Sequence, residues 1–159
     1  MSQLDPNLIF DMIAADVPPE LHGNIVIIGS LAAAYHYREK LGTDGVNTKD
    51  ADVVVQPAGA IVECQSIANR LLALGWRRIK RCKPWATDHP LESLSVIRLN
   101  PPKSDAYFLE ILAFPDMRQA ELKAMLPVRL SDGGWYVLPT FRHLRLVGMN
   151  QQTARQGLR

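Results

Sequence analysis

Cysteine is scarce in this chain of 159 residues. Only Cys64 and Cys82 occur, and two cysteines without metal-ligand spacing support neither a disulfide framework nor a metal site. Both are expected to be reduced thiols with a structural role. The first residues, Met-Ser-Gln-Leu-Asp-Pro, also lack the basic start and the apolar core of a signal peptide, which predicts a cytoplasmic protein.

Long apolar runs and several common motifs are missing as well. The apolar run around Gly29 extends for about ten residues, whereas a membrane-spanning helix needs roughly 20, so no membrane span is predicted. The chain has no Gly-x-Gly-x-x-Gly dinucleotide fingerprint and no Gly-Lys-Ser/Thr P-loop. It also has no Gly-x-Ser-x-Gly nucleophile elbow. These absences argue against the Rossmann, P-loop and α/β-hydrolase classes.

The net charge is small, at +2, and does not by itself indicate a nucleic-acid partner. The charge is uneven, however, because five of the seven residues from 77 to 83 are basic. This basic cluster comprises Arg77, Arg78, Lys80, Arg81 and Lys83. It could contact the phosphates of RNA, or it could be a solvated strand or loop surface, and the sequence leaves both interpretations open.

The composition, with 47% apolar and 21% charged residues, is that of a globular protein and excludes wholesale disorder, collagen and coiled coil. Apolar periodicity and turn residues predict helices and strands. Helices are expected at 8–17, 30–40, 60–74, 115–125 and 139–148, and strands at 24–28, 50–55, 94–99, 107–114 and 134–138. The strands at 94–99 and 107–114 are expected to form an antiparallel hairpin. We expect one domain over 1–149 and a polar tail over 150–159 that could be the start of a further helical region.

Three acidic side chains stand out by their strand context. Asp50 and Asp52 open an apolar strand two residues apart, so their side chains share one face. A divalent cation would relieve their mutual repulsion and would bind their hard carboxylate oxygens. Glu110 has only apolar neighbours in Tyr-Phe-Leu-Glu-Ile-Leu-Ala-Phe and therefore needs a partner. Arg98 on the neighbouring predicted strand, or a metal shared with the two aspartates, would provide one.

A tight turn follows the first predicted strand. The strand leads directly into Gly29 and Ser30, where an alanine-rich helix begins, and Ser30 suits the capping position of that helix. The N–H groups and the dipole at a helix start favour an anion such as phosphate, while simple chain reversal accounts for the same two residues. Lys49, beside the acid pair, could contact a phosphate or be an exposed surface lysine.

Together, the Gly-Ser turn, the Asp-x-Asp pair and the later lone glutamate resemble the nucleotidyltransferase superfamily with the DNA polymerase beta-type fold. The resemblance covers residues 24–114. Asp50 follows Ser30 by 20 residues and is preceded by Thr-Lys, which is most similar to stand-alone bacterial transferases related to the abortive-infection type IV toxin nucleotidyltransferases. The resemblance implies an α+β fold in which helices flank a mixed β-sheet.

The resemblance also implies a site and an activity. The Gly-Ser turn and Lys49 would bind the phosphates of an NTP, and Asp50, Asp52 and Glu110 would be the catalytic residues and would hold Mg²⁺. The implied reaction moves a nucleotidyl group to an unidentified acceptor hydroxyl on RNA, a protein or a small molecule, with Glu110 accepting the proton. The alternative is a catalytically inactive module of the same fold that binds nucleic acid or protein, including within a toxin-antitoxin system.

Overall fold

The structure is a computed structural model that describes residues 5–41, 49–56, 61–79, 90–113 and 123–141. Its strands are β1 (Ile25–Ile28), β2 (Asp50–Val55), β3 (Arg77–Arg78), β4 (Arg98–Asn100), β5 (Phe108–Ala113), β6 (Lys123–Arg129) and β7 (Trp135–Phe141). Its helices are α1 (Pro6–Asp16), α2 (Pro19–His22), α3 (Gly29–His36), α4 (Arg38–Leu41) and α5 (Ile61–Ala73), with a 3₁₀ turn at Leu91–Ser93. The predicted α+β class, a mixed sheet flanked by helices, is confirmed.

Five strands form one mixed sheet in the order β1-β2-β5-β4-β3. At its centre β2 and β5 run parallel, whereas β1 is antiparallel to β2, and β4 is antiparallel to both β5 and β3. The antiparallel pairing of β4 with β5 confirms the predicted hairpin, although β4 is shorter than expected. The strands β6 and β7 form a separate antiparallel pair.

The two faces of the central strands differ in chemistry because side chains alternate along a strand. One face packs into the main core, and burial of its apolar side chains is the principal force that holds the sheet in place. Its members on the central strands are Ala51, Val53, Val55, Leu109, Ile111 and Ala113. Asp52 and Glu110 lie between these residues, so both carboxylates point to the opposite face.

Helix α1 is tied to the sheet by a long-range hydrogen bond. The helix begins after Asp5, whose carboxylate accepts a hydrogen bond from the Asn7 N–H at 2.9 Å, as is usual at an N-cap. At its other end the Asp16 carboxylate accepts a hydrogen bond from the Tyr107 hydroxyl at 3.0 Å. Burial raises the pKa of that hydroxyl, so the phenol remains a donor. The bond connects the end of α1 to the residue that precedes β5.

Helix α5 contains the buried cysteine and supports the β6–β7 hairpin. Cys64 is a free, fully buried thiol, and burial raises its pKa to about 12, in agreement with the predicted structural role. Cys82 lies outside the described residues.

The side chain of Asn69 on α5 accepts a hydrogen bond from Ser131 N–H at 2.7 Å, which attaches the β6–β7 hairpin to the helix. Over the described ranges, no helix is long and apolar enough to cross a bilayer.

Two predicted helices are wrong where they overlap the described residues. Residues 123–125, the end of the helix predicted at 115–125, belong to β6, and residues 139–141, the start of the helix predicted at 139–148, belong to β7. The rest of both segments lies outside the described residues. Pairing between the two strands overrides the local helix propensity. Pro127 and Pro139 fit this pair, because each strand of a two-stranded sheet has one edge that needs no ladder N–H.

Candidate functional site

A row of aligned residues crosses the main sheet on the face opposite the core. Asp52 on β2 pairs in register with Ile28 on β1 and with Glu110 on β5. Glu110 pairs in turn with Arg98 on β4. Residues directly opposite on neighbouring strands present their side chains on the same face, and Asp50 shares that face two residues before Asp52. The predicted acids therefore lie together on one face, and Arg98 lies at the end of the row.

The Gly-Ser turn lies against this row. Gly29 follows Ile28 directly and has a φ of +75°, in the left-handed region that favours glycine. A Cβ atom built on Gly29 would lie 2.6 Å from the Oδ2 atom of Asp52, which is closer than a side chain tolerates. The backbone of the turn and the Asp52 carboxylate are thus in close contact, as the sequence interpretation required.

The helix that follows the turn begins one residue earlier than predicted. Because α3 starts at Gly29, Ser30 lies inside its first turn, and the prediction that Ser30 caps the helix is wrong. Ile28 occupies the capping position and, having no polar side-chain atom, makes no capping hydrogen bond. Gly29 and Ser30 are exposed. The first-turn N–H groups of an uncapped helix suit an external acceptor, and the helix dipole favours a negatively charged one.

Asp52 is partly buried, and its surroundings disfavour its charged form. The pKa of its carboxyl is raised mainly by desolvation and then by the negative charges of Glu110 and Asp50, whereas the positive charge of Arg98 lowers it. The negative charges of Glu110 and Asp50 each raise this pKa more than the positive charge of Arg98 lowers it. A cation bound beside Asp52 would offset that repulsion.

Glu110 has a partner in Arg98. The Arg98 Nε atom donates to Oε2 of Glu110 at 2.6 Å, and the guanidinium carbon lies 5.6 Å from the centroid of the Phe108 ring. The Glu110 side chain is 15% exposed and that of Arg98 is 46% exposed, so the carboxylate is sheltered while the guanidinium reaches solvent. Sequence reasoning named Arg98 as one of two partners for Glu110 but missed Phe108, whose position two residues before Glu110 places it on the same face.

The donor atoms of the row suit a divalent cation, but only in part. Carboxylate oxygens are the ligands that Mg²⁺ prefers, and the repulsion of Asp52 by Glu110 and Asp50 fits a bound cation. Among the residues that the structure describes, however, no group of three or more His, Cys, Asp or Glu side chains has the geometry of a metal site. In this arrangement the carboxylates of Asp50 and Asp52 are the donors that would hold a cation, and the Glu110 carboxylate is paired with Arg98.

Lys49 lies at the start of the same strand pair. Its carbonyl oxygen accepts a hydrogen bond from the Phe108 N–H at 2.9 Å, which extends the ladder between β2 and β5 by one residue. Its side chain is exposed at the end of β2 where Asp50 also lies. Both interpretations offered by the sequence, a phosphate contact and a surface lysine, are compatible with this position.

The basic cluster begins at the far edge of the sheet. Arg77 and Arg78 form β3, which is separated from β2 by β4 and β5. Arg77 Nη2 lies 2.9 Å from Asp105 Oδ1, and Arg78 Nε lies 2.9 Å from Asp132 Oδ2. The charges of these two arginines are therefore offset by carboxylates. The other members of the cluster lie outside the described residues; they are Lys80, Arg81 and Lys83.

Replacing Asp52 with asparagine is expected to raise the free energy of unfolding at pH 7. The pKa of Asp52 in the folded protein lies above its ordinary value, so ionisation of this carboxyl costs more in the folded state than in the unfolded state. The free energy of unfolding therefore falls as the pH rises through the folded-state pKa. The variant has no carboxyl to ionise and lacks this loss of stability. Its advantage should shrink as the pH falls towards about 3.9, where the unfolded carboxyl also takes up its proton. Urea unfolding of both proteins from pH 7 to pH 4 measures the difference, and a difference that does not change with pH would contradict the assignment.

Comparisons with models of protein families, with curated proteins and with solved structures found no match for this chain. The row of aligned residues, the turn beside it and the chemistry of their side chains are therefore the basis for any functional assignment.

Proposed function

We propose that this protein has a nucleotidyltransferase-like fold and is a Mg²⁺-dependent nucleotidyltransferase that moves a nucleotidyl group from an NTP to an acceptor hydroxyl. The observation that supports this most strongly is the register of β1, β2 and β5. It places the Gly29 backbone against Asp52 and aligns Asp52 with Glu110. Those residues lie far apart in the chain, and the proposal required them to be adjacent.

The residues of the site suggest a division of roles. The N–H groups at the start of α3, together with the Ser30 hydroxyl, would bind the NTP phosphates, since a helix start favours an anion. Asp50 and Asp52 would hold Mg²⁺, which when bound would stabilise the charge that develops on the phosphates as pyrophosphate leaves. Glu110 is the proposed acceptor for the proton of the attacking hydroxyl.

Titration calorimetry with each NTP in the presence of Mg²⁺ tests binding. The wild type should bind at least one NTP, and Asp50→Ala combined with Asp52→Ala should weaken binding by about tenfold or more, because the two Mg²⁺ ligands are lost. Asp105→Ala is the matched control, since it removes an exposed carboxylate outside the row. Absence of NTP binding by the wild type, or undiminished binding by the double variant, would contradict the proposal.

Transfer itself is tested with labelled nucleotides. Incubation with RNA, with the protein alone or with small-molecule acceptors should transfer label from the α-phosphate of the NTP but not from its γ-phosphate, because pyrophosphate is the leaving group. RNA is the first acceptor to try, through the basic cluster (Arg77, Arg78, Lys80, Arg81 and Lys83). Transfer of the γ-phosphate label would indicate a different reaction.

The ion pair between Arg98 and Glu110 favours a second candidate, the inactive module. In that case Glu110 is a structural partner of Arg98, no cation binds, and the protein acts by binding nucleic acid or protein, including in a toxin-antitoxin pair. This candidate predicts silent NTP titrations with a fully folded protein, together with RNA binding that weakens as salt is added. Label transfer from the α-phosphate would exclude it.

A further inference from the structure

Arg98 holds a defined position at the end of the acidic row. It is aligned with Glu110 across β4 and β5, and its Nε atom donates to Oε2 of Glu110 at 2.6 Å. The guanidinium also lies over the Phe108 ring, 5.6 Å from its centroid, where cations are attracted to the aromatic face. Both contacts come from β5. Arg98 is thus an ion-pair partner of Glu110 at the end of the row.

The two partners of this ion pair differ in their freedom to move. The Glu110 side chain is 15% exposed, and its backbone is fixed in the centre of the sheet between β2 and β4. The Arg98 side chain is 46% exposed, and a long side chain can rotate its charged end into solvent while its aliphatic part remains packed. Separation of the pair therefore requires movement of Arg98 and leaves Glu110 in the row beside Asp52.

We propose that Arg98 is a built-in competitor of the metal: it neutralises Glu110 in the free protein, and a divalent cation must displace it from Glu110 to complete the carboxylate site. This inference rests on the proposed function, because it concerns the same carboxylates. It accounts for two observations together, the alignment of the acids beside the turn and the pairing of Glu110 with Arg98. Arg98 then sets the metal affinity of the site, since two cations compete for one carboxylate.

Titration with Mn²⁺ alone, without nucleotide, tests this role by calorimetry. Arg98→Met removes the charge and keeps an unbranched side chain over Phe108, so it should bind Mn²⁺ about tenfold more tightly than the wild type, the effect of removing one charge-assisted hydrogen bond. Glu110→Gln should bind Mn²⁺ more weakly. The gain from Arg98→Met should disappear when both substitutions are combined, because it acts through Glu110.

Two further measurements complete the test. Arg70→Met is the matched control, because Arg70 forms an exposed ion pair with Glu20 on another part of the molecule, and its Mn²⁺ affinity should equal that of the wild type. The rise in unfolding temperature that Mn²⁺ causes should follow the same order as the affinities. Should Arg98→Met fail to fold, Arg98→Lys should show a smaller gain, because lysine retains the charge but not the planar donor geometry.

The outcomes separate this inference from the proposed function. Equal Mn²⁺ affinity in the wild type and Arg98→Met, with binding that depends on Asp50 and Asp52, would overturn the role of Arg98 and leave the site intact. Tighter binding by Arg98→Met that disappears with Glu110→Gln would support it, even where the wild type binds too weakly to measure. Absence of Mn²⁺ binding in every variant, including Arg98→Met, would overturn both.

Discussion

Gly29→Ala is expected to lower the free energy of unfolding by about 2 to 3 kcal/mol and to disturb the candidate site at the same time. Gly29 has a φ of +75°, and an L-residue held in the left-handed region costs roughly 1 to 2 kcal/mol. The remainder of the effect comes from the new Cβ atom, which would lie 2.6 Å from Oδ2 of Asp52. The Asp52 carboxylate must move away, in a direction limited by Asp50 and Glu110.

Other glycines of the chain separate these two causes. Gly133 has a φ of +80°, and a Cβ atom added there would have nothing within 4 Å, so Gly133→Ala should show the backbone cost alone. Gly23 has a right-handed helical conformation with a φ of −63° and equally open space, so Gly23→Ala should be neutral or slightly stabilising. Urea unfolding at pH 7 measures all three variants. Equal losses for Gly29→Ala and Gly133→Ala would show that the approach of Asp52 adds nothing.

A double variant tests the contact with Asp52 directly. Asp52→Ala removes the carboxylate that the new methyl group meets, so it should recover part of the stability lost in Gly29→Ala. The recovered part should match the difference between Gly29→Ala and Gly133→Ala. Additive effects of the two substitutions would contradict a direct contact between the turn and Asp52.

Asp132→Ala is expected to lower the free energy of unfolding by about 3 kcal/mol, because one sheltered carboxylate serves three donors. Asp132 accepts hydrogen bonds from the Gly134 N–H and from the Tyr136 hydroxyl, each at 2.8 Å. It also forms the ion pair with Arg78 at 2.9 Å. Tyr136 is 1% exposed, so loss of the carboxylate leaves a buried hydroxyl without this acceptor. The network joins the β6–β7 hairpin to β3.

The neighbouring ion pair provides the control for this prediction. Arg77 and Asp105 are also 2.9 Å apart, but the Asp105 side chain is 77% exposed whereas that of Asp132 is 17% exposed. Asp105→Ala should therefore cost no more than about 0.5 kcal/mol, as is typical of solvent-exposed pairs. Asp132→Asn should fall between the two, because it keeps an acceptor oxygen but loses the charge. Similar costs for Asp132→Ala and Asp105→Ala in urea unfolding would contradict the importance of burial.

The strands of the site were predictable because their signals are local. The observed β2 has the predicted limits, and the position of Asp50 and Asp52 on one face follows from the two-residue repeat of a strand. The hairpin that aligns Arg98 with Glu110 was also predictable, since two β-prone runs flank a Pro-rich turn. The apolar neighbours of Glu110 showed in addition that it needs a partner.

Features that depend on contacts distant in sequence were missed. The segment of β6 is locally helix-prone and contains Pro127, and only its pairing with β7 makes it a strand. Ser30 has the chemistry of a helix cap, but α3 starts at Gly29, and the left-handed conformation of this glycine beside Asp52 involves a contact distant in sequence. The shared role of Asp132 follows from the approach of the β6–β7 turn to β3, which no local pattern encodes.

The sequence by itself determined which residues are strand-bound acids, which turn precedes a helix, and which faces of the strands are apolar, because each of these follows from the chemistry of neighbouring residues. Only the tertiary structure decided the order β1-β2-β5-β4-β3 and the register that aligns Asp52 with Glu110 and Glu110 with Arg98. Register between distant strands is set by burial of one whole face in the core, since a shift by one residue would turn every side chain of a strand to the other face and carry its carboxylate into the core. The same requirement places the carboxylates and Arg98 together on the opposite face.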